Sequence, residues 1–321
     1  MSGHTRSDPS SDPTLTFIIG ATGCGKGSLG RALARRTGGE IISADSMKVY
    51  RRMDIGTAKP SAADRRDVPH HVIDVVDPWE TFSVAGFVAR ADAAIADIHG
   101  RHRPVFVVGG TPLYIKALSE GLFEDPGADP AVRARLHDEA GRSGRGALHR
   151  RLMDVDPIAA ERIHPNDLRR TVRALEVFEI TGRPISELQT QWNHRRRYGC
   201  VMFGVRRARE DQHRRTNDRV RRMMGAGLLE EVRSLLALPQ PLSRTARSAL
   251  GYAELIEHLE AGVPLADAIE KIKINTRRLV KAQRTWLRRF TDTQWIDLLP
   301  DSDPERIAEE LVKSRAALWS V

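Results

Sequence analysis

Along the first 110 residues, short apolar runs alternate with stretches of helical spacing. Residues 15–19 (L-T-F-I-I) are apolar, rich in β-formers and stopped by glycine, the pattern of a buried strand. A helix is expected at 26–36. A second strand at 40–43 leads to Asp45-Ser46, and 71–76 suggests a third. A helix with Phe87, Ile95 and Ile98 on one face spans 83–99, and P-V-F-V-V at 104–108 is a further buried strand ending in Gly109-Gly110. Strand–helix alternation of this kind predicts a parallel α/β sheet. The pattern then changes. Helical segments at 130–141, 157–162, 167–181 and 185–192 follow one another without a strand. Residues 200–205 (C-V-M-F-G-V) return to strand, and the chain is mostly helical from there to about 290. The expected architecture is a polar tail at 1–14, an α/β core from 15–124 and 200–321, and an all-helical insertion at 125–199.

Composition narrows the function classes. At 321 residues, 40 % hydrophobic and 29 % charged, the chain is an ordinary globular protein. No run reaches the roughly 18 apolar residues of a membrane span, so no membrane association is expected. The first residues are polar and carry no secretory signal. The two cysteines, Cys24 and Cys200, form neither a disulfide framework nor a metal motif, and a reducing cytoplasm is the expected location. Fifty-one Lys and Arg against 42 Asp and Glu give a net +9, which points to a polyanionic partner.

The sharpest local pattern is G-A-T-G-C-G-K-G-S: Gly20, Ala21, Thr22, Gly23, Cys24, Gly25, Lys26, Gly27 and Ser28. It lies between an expected strand and an expected helix, the context of a phosphate-binding P-loop. The glycines turn backbone N–H groups toward an anion, the helix N-terminus adds its positive dipole end, and Lys26 meets the terminal phosphates. The position after the lysine usually carries the hydroxyl that binds Mg²⁺, but here it is Gly27. Ser28, Thr22, or phosphates and water remain to hold the ion. The strand at 104–108 ends in glycine rather than in the acid that a nucleotide hydrolase needs. The loop is therefore expected to bind a phosphorylated ligand without an ATPase apparatus.

Five further segments, in order, resemble one family. They are I-S-A-D-S-M-K-V-Y-R-R-M-D-I-G-T-A-K-P from Ile42, V-V-G-G-T-P-L-Y-I-K-A-L from Val107, and D-P-I-A-A-E-R-I-H-P-N-D from Asp156 with R-A-L-E-V from Arg173. S-A-L-G-Y from Ser248 and K-A-Q-R-T-W-L-R from Lys281 complete the set. Together they resemble the tRNA dimethylallyltransferases, over about residues 15–297. The resemblance implies a P-loop kinase-like parallel core with an inserted helical domain. It implies transfer of a dimethylallyl group from dimethylallyl diphosphate to N6 of the adenosine 3′ to the anticodon, in tRNAs reading codons that begin with U. Mg²⁺ is the implied cofactor and the anticodon stem-loop the implied partner. Asp45 matches the family's general base. Arg219 matches an arginine that contacts diphosphate, with Thr216 nearby where the family has an aliphatic residue. Thr111 matches a threonine near the reacting centre, the favoured role, beside the alternative of a helix N-cap before Pro112. The implied tRNA contacts are Asp45, Ser46, Met47, Lys48, Thr111 and Arg133; Arg169, Arg170, Thr171, Val172 and Arg173; Arg247, Ser248, Ala249, Leu250, Gly251 and Tyr252; and Lys281, Ala282, Gln283, Arg284, Thr285, Trp286, Leu287 and Arg288.

Two basic features fit an RNA partner. Residues 195–222 hold eleven arginines and three acids, too lopsided for internal pairing. Arg277, Lys281, Arg284 and Arg288 share one helical face, while Leu279, Ala282, Trp286 and Phe290 share another that is expected to face the core. Asp54 and Lys59 are read as ordering their loop, and His70-His71 as a polar entry to the third strand. Three rivals stand beside this reading. A prenyltransferase acting on free adenine nucleotides needs neither the insertion nor the basic helix. A small-molecule kinase needs a hydroxyl at position 27. A non-catalytic RNA-binding protein has no use for Lys26, Asp45 and Thr111 together. No heptad seam is visible, so a monomer is expected.

Overall fold

A computed structural model of the chain describes residues 14–121, 126–189 and 196–319. The expected tail falls, apart from Thr14, outside the described residues. The chain divides into two compact units, one of residues 1–119 with 198–321 and the other of residues 120–197.

The larger unit is built on a six-stranded sheet: β1 (Thr14–Gly20), β2 (Glu40–Ala44), β3 (His70–His71), β4 (Val105–Gly109), β5 (Gly199–Arg207) and β6 (Gln294–Leu298). Every pairing is parallel, and the order is β3-β2-β4-β1-β5-β6. Parallel strands need cover on both faces, and the burial of β1 shows it: six of its seven residues are buried. In chain order the helices are α1 (Lys26–Thr37), α2 (Ala62–Asp67), α3 (Val84–Gly100), α4 (Pro112–Glu120), α5 (Pro130–Ser143), α6 (Arg145–Val155), α7 (Pro157–Arg162) and α8 (Leu168–Thr181). They continue with α9 (Ile185–Leu188), α10 (Arg209–Gly225), α11 (Leu228–Leu236), α12 (Arg244–Arg247), α13 (Tyr252–Ala261), α14 (Leu265–Leu287) and α15 (Pro304–Ser314). On one face of the sheet, Leu29 and Leu33 of α1 and Ala308 of α15 pack on Ile18, Phe106 and Phe203. On the other, α3, α4, α13 and α14 bring Phe87, Ile115, Leu255 and Ile272 against Phe17 and Val107. Near the chain end, Trp319 donates its indole N–H to the buried Thr16 hydroxyl at 2.9 Å.

The smaller unit is helical, α5 to α9, around Leu136, Leu148, Leu152, Val172 and Leu175. Its buried carboxylate, Glu176, is held by Arg133 at 2.8 Å, Arg173 at 2.5 Å and the Asp129 N–H at 2.9 Å.

Several elements differ from the sequence expectation. The third strand ends at His71, because Val72 and Asp74 both take left-handed φ, 59° and 56°, and cannot continue it. The last expected helix of the smaller unit stops at Leu188, and residues 190–192 lie outside the described residues. Four elements had no expected segment, one of them α6 within the helical stretch. α2 buries nothing and is announced only by the Ser61–Asp64 capping box. β6 is a half-exposed edge strand, and α15 covers α1.

Candidate active site

The expected site residues converge at the carboxyl ends of β1, β2 and β4, where an open parallel sheet places its ligands. Gly20 closes β1, Asp45 follows β2, and Thr111 follows β4. The close approach of β2 and β4 requires Gly109, since a Cβ there would sit 2.1 Å from the Ala44 oxygen. Thr111 donates its backbone N–H to that same oxygen at 3.2 Å. Its hydroxyl accepts from the Ser46 N–H at 3.1 Å, so the two loops are tied side to side.

The phosphate loop is held from outside. Gln283 of α14 accepts the Thr22 N–H at 2.9 Å and donates to the Gly110 carbonyl at 2.8 Å. Gln212 of α10 donates to the Thr22 carbonyl at 3.0 Å, Arg215 to that of Gly23 at 3.4 Å, and Arg207 to that of Cys24 at 3.0 Å. With its carbonyls engaged, the loop leaves the Gly23 and Gly25 N–H groups without an acceptor among the described residues. Gly23 and Gly25 have φ of 81° and 103°, which L side chains rarely adopt. Gly27 is different. Its φ is not left-handed, and a Cβ there meets nothing within 4 Å.

Two cavities meet here. The larger, about 750 Å³, is lined by Gly23, Gly25, Lys26, Gly27, Ser28, Arg31, Asp45, Lys48 and Arg219 among others. The smaller, about 240 Å³, is lined by Met47, Thr111, Leu250, Gly251, Tyr252, Ile272, Leu279 and Gln283. Asp45 and Arg219 line both. Asp45 Oδ1 accepts from the Met47 and Lys48 N–H groups at 3.0 and 3.4 Å, which fixes the turn. Its Oδ2 accepts no hydrogen bond among the described residues. Burial pushes the Arg219 guanidinium down, while the Asp45 carboxylate pulls it back up. Burial likewise pushes Lys48 down to about 8. Ser28 is the one hydroxyl beside Lys26 lining the larger cavity at the start of α1, and no group of three His, Cys, Asp or Glu among the described residues is arranged to hold a metal. The residues present therefore suit an ion carried mostly by a diphosphate and water, with Ser28 as a protein ligand.

Placement of the remaining expected contacts is mixed. Lys281, Ala282 and Thr285 are exposed on α14, as is Arg288 just past its end. Arg277 and Arg284 turn toward α10, donating to Asn217 at 3.0 Å and Gln212 at 3.3 Å. The expected core face is met in part: Phe290 is buried and Trp286, half-buried between Lys116 and Arg289, packs against the core, but Leu279 is 39 % exposed, Ala282 is exposed, and α14 itself buries Ile272, Thr276, Val280 and Leu287. Arg247 pairs with Glu260, Ser248 is exposed, and Ala249 and Tyr252 are buried. In the smaller unit, Arg169 and Arg170 are exposed, whereas Thr171 and Val172 are core residues and Arg133 and Arg173 serve Glu176.

The arginine run was expected to lack internal partners. Leaving aside Arg195, which lies outside the described residues, much of it is paired. Arg206 meets Asp297 at 2.6 and 2.8 Å, Arg207 and Arg214 share Asp211, and Arg221 meets Asp218 at 2.6 Å. Arg207 is 4 % exposed and belongs to the phosphate loop's support. Glu231 had no expected role. It accepts the N–H groups of Asp54, Ile55 and Gly56 and the Tyr252 hydroxyl, the last at 2.6 Å, and so fixes the loop whose Thr57 carbonyl receives Arg219 at 3.4 Å. Lys59 reinforces that loop through Asp54 and Asp74.

Fold and site together define a P-loop transferase: an anion cradle in a parallel sheet, with a carboxylate at the mouth of a second, partly apolar cavity. The family model described as IPP transferase matches residues 48–290, and one described as isopentenyl transferase matches residues 13–70. A Geobacter metallireducens protein named tRNA dimethylallyltransferase is 49 % identical over 88 % of this chain and 92 % of its own. A Symbiobacterium thermophilum protein of the same name is 47 % identical over 95 % and 96 %. The solved tRNA isopentenylpyrophosphate transferase of Bacillus halodurans superposes with a TM-score of 0.71 at 38 % identity, covering 96 % of this chain and 97 % of that one. A eukaryotic dimethylallyltransferase solved acting on tRNA superposes with a TM-score of 0.81 at 27 % identity, covering 95 % and 79 %. The chain belongs to the tRNA dimethylallyltransferase family.

Proposed function

We propose that the protein transfers a dimethylallyl group from dimethylallyl diphosphate to N6 of the adenosine 3′ to the anticodon, in tRNAs reading codons that begin with U. The observation that carries the reading is the sharing of Asp45 and Arg219 by the anion cradle and the smaller cavity. The diphosphate occupies the cradle, and the adenine enters through the smaller cavity, flipped from an anticodon loop in which bases are already unpaired.

The N6 amine is a weak nucleophile because its lone pair is delocalised into the ring. As N6 bonds to C1 of the allyl group, the C1–O bond breaks and the proton on N6 passes to Asp45 Oδ2. Charge that builds on the departing bridging oxygen is met by Lys26, Arg219, the loop N–H groups and the Thr111 hydroxyl. Mg²⁺, held by the diphosphate, water and Ser28, would neutralise part of the diphosphate charge. Lys281, Arg288, Arg169 and Arg170 supply exposed cations for RNA phosphates. The protein acts as a monomer in the cytoplasm. Among the described residues, no helix is long and apolar enough to cross a membrane.

Asp45→Asn tests the chemistry. It keeps the turn's acceptor oxygen and removes the base. Single-turnover transfer should fall by roughly 10²–10⁴-fold with tRNA affinity unchanged. A near-normal chemical rate would rule Asp45 out as the base.

A further inference from the structure

Lys48 lines the larger cavity with Lys26, Arg31 and Arg219. Its backbone is fixed at both sides, the N–H to Asp45 Oδ1 at 3.4 Å and the carbonyl to the Asp74 N–H at 3.2 Å. Of the other cations of this wall, Lys59 pairs with Asp54 and Asp74 and Arg31 with Asp64 at 3.5 Å, whereas Lys26 and Arg219 reach only backbone carbonyls, those of Ala21 at 3.5 Å and Thr57 at 3.4 Å. Among the described residues, the Lys48 ammonium makes no hydrogen bond or ion pair. The groups that face it are Asp45 after β2, Lys26 and Arg31 on α1, Arg219 on α10 and His70 on β3. Only Asp45 attracts it. Burial first, then the three cations, push its amine down to about 8, and burial holds His70 down at about 4, neutral at pH 7. A half-buried amine among cations, with one shared carboxylate, is poised for a multiply charged anion.

We propose that Lys48 is a third side-chain ligand of the diphosphate, acting with Lys26 and Arg219, and that diphosphate binding is coupled to proton uptake at its amine. This rests on the reading that the cavity takes the allylic diphosphate. An anion at hydrogen-bonding distance favours the charged amine. The free protein near pH 8 therefore holds Lys48 partly neutral, and the bound protein holds it protonated. Affinity falls as pH rises above about 8, because the proton must then be taken from solvent.

Calorimetric titration with magnesium diphosphate, in two buffers of different ionisation enthalpy at pH 8, tests this on the wild type, Lys48→Gln, Lys48→Arg and Lys26→Ala. The ligand's own titration is common to all and cancels in differences. Lys48→Gln should weaken binding by roughly tenfold to a hundredfold, the loss of one charged hydrogen bond. It should also remove an uptake of roughly half a proton. Lys48→Arg should keep most of the affinity, take up no proton at this site, and hold its affinity level from pH 7 to 9 where the wild type declines. Wild-type affinity and proton uptake in Lys48→Gln, with binding lost in Lys26→Ala, would overturn the role of Lys48 and leave the cavity's assignment standing. Unchanged binding in both Lys48→Gln and Lys26→Ala would overturn the assignment of the cavity itself. Equal losses in Lys48→Gln and Lys48→Arg with wild-type proton uptake would make Lys48 a packing residue and overturn the proposal.

Discussion

Replacing Gln283 with leucine removes the clasp between the phosphate loop and the strand-end glycines while nearly conserving volume. Two hydrogen bonds go, at 2.9 Å to the Thr22 N–H and 2.8 Å to the Gly110 carbonyl. At about 1 kcal/mol net each, the loss is about 2 kcal/mol. It should show in two places. The midpoint of thermal unfolding should fall by roughly 4–8 °C, taking about 2–4 °C per kcal/mol for a unit of this size. Diphosphate affinity, measured calorimetrically, should fall by up to roughly thirtyfold, because binding must then re-order the loop. Gln283→Glu should bind diphosphate worse than leucine. It still accepts from Thr22, but it cannot donate to Gly110 and it sets a negative charge beside the ligand. Wild-type diphosphate affinity and melting in Gln283→Leu would refute the clasp. A loss of tRNA affinity alone would return Gln283 to the RNA-contacting role that its motif implied.

Three further outcomes follow from the same geometry. Gly27→Thr should be accepted, since a Cβ there meets nothing within 4 Å, and should lower the Mg²⁺ concentration for half-maximal transfer; an unmoved titration means Ser28 already suffices, and lost diphosphate binding means the position needs glycine. Glu40, 1 % exposed and held near pKa 2 by Arg101 and then His71, has a depressed carboxyl, so its stabilisation is present above about pH 4.5 and is lost as pH falls toward 2. Glu40→Gln should therefore cost about 3 kcal/mol at pH 7 by chemical denaturation, with the gap to wild type closing across that window. Arg288→Ala should lower the slope of log tRNA affinity against log salt by up to about one, whereas Arg284→Ala should change it less because Arg284 leans on Gln212.

The parts of this molecule that local pattern controls were legible in the sequence. β1 and β4 are buried runs stopped by glycine, α1 is an amphipathic helix that follows a glycine loop, and their boundaries fall within a residue or two of the spacing. The phosphate loop, Asp45 and Thr111 sit at strand ends, so reading the strands also located the candidate site. What was hidden depends on partners far along the chain. The spacing 279–282–286–290 and the spacing 276–280–283–287 fit a helix equally well. Thr276 and Gln283 made the true core face look polar, because nothing local reveals that Gln283 faces a loop 261 residues away. The arginine run looked unpaired because Asp297 and the loop carbonyls that receive Arg206 and Arg207 are remote in sequence. Glu231 was missed for the same reason, its acceptor oxygens being used by backbone N–H groups 175 to 177 residues earlier. The third strand failed on backbone conformation, since β-branched Val72 gives no warning of a left-handed φ.

Prenyl transfer to a tRNA adenosine is tested most simply by carrying it out. Purified protein is incubated with Mg²⁺, dimethylallyl diphosphate and either unmodified tRNA reading a codon that begins with U or free AMP, and the nucleosides are analysed by mass. The expected product is an adenosine heavier by one five-carbon prenyl unit, located 3′ to the anticodon, with AMP unmodified. Prenylated AMP with untouched tRNA, or phosphate transfer with no prenylated product, would contradict it.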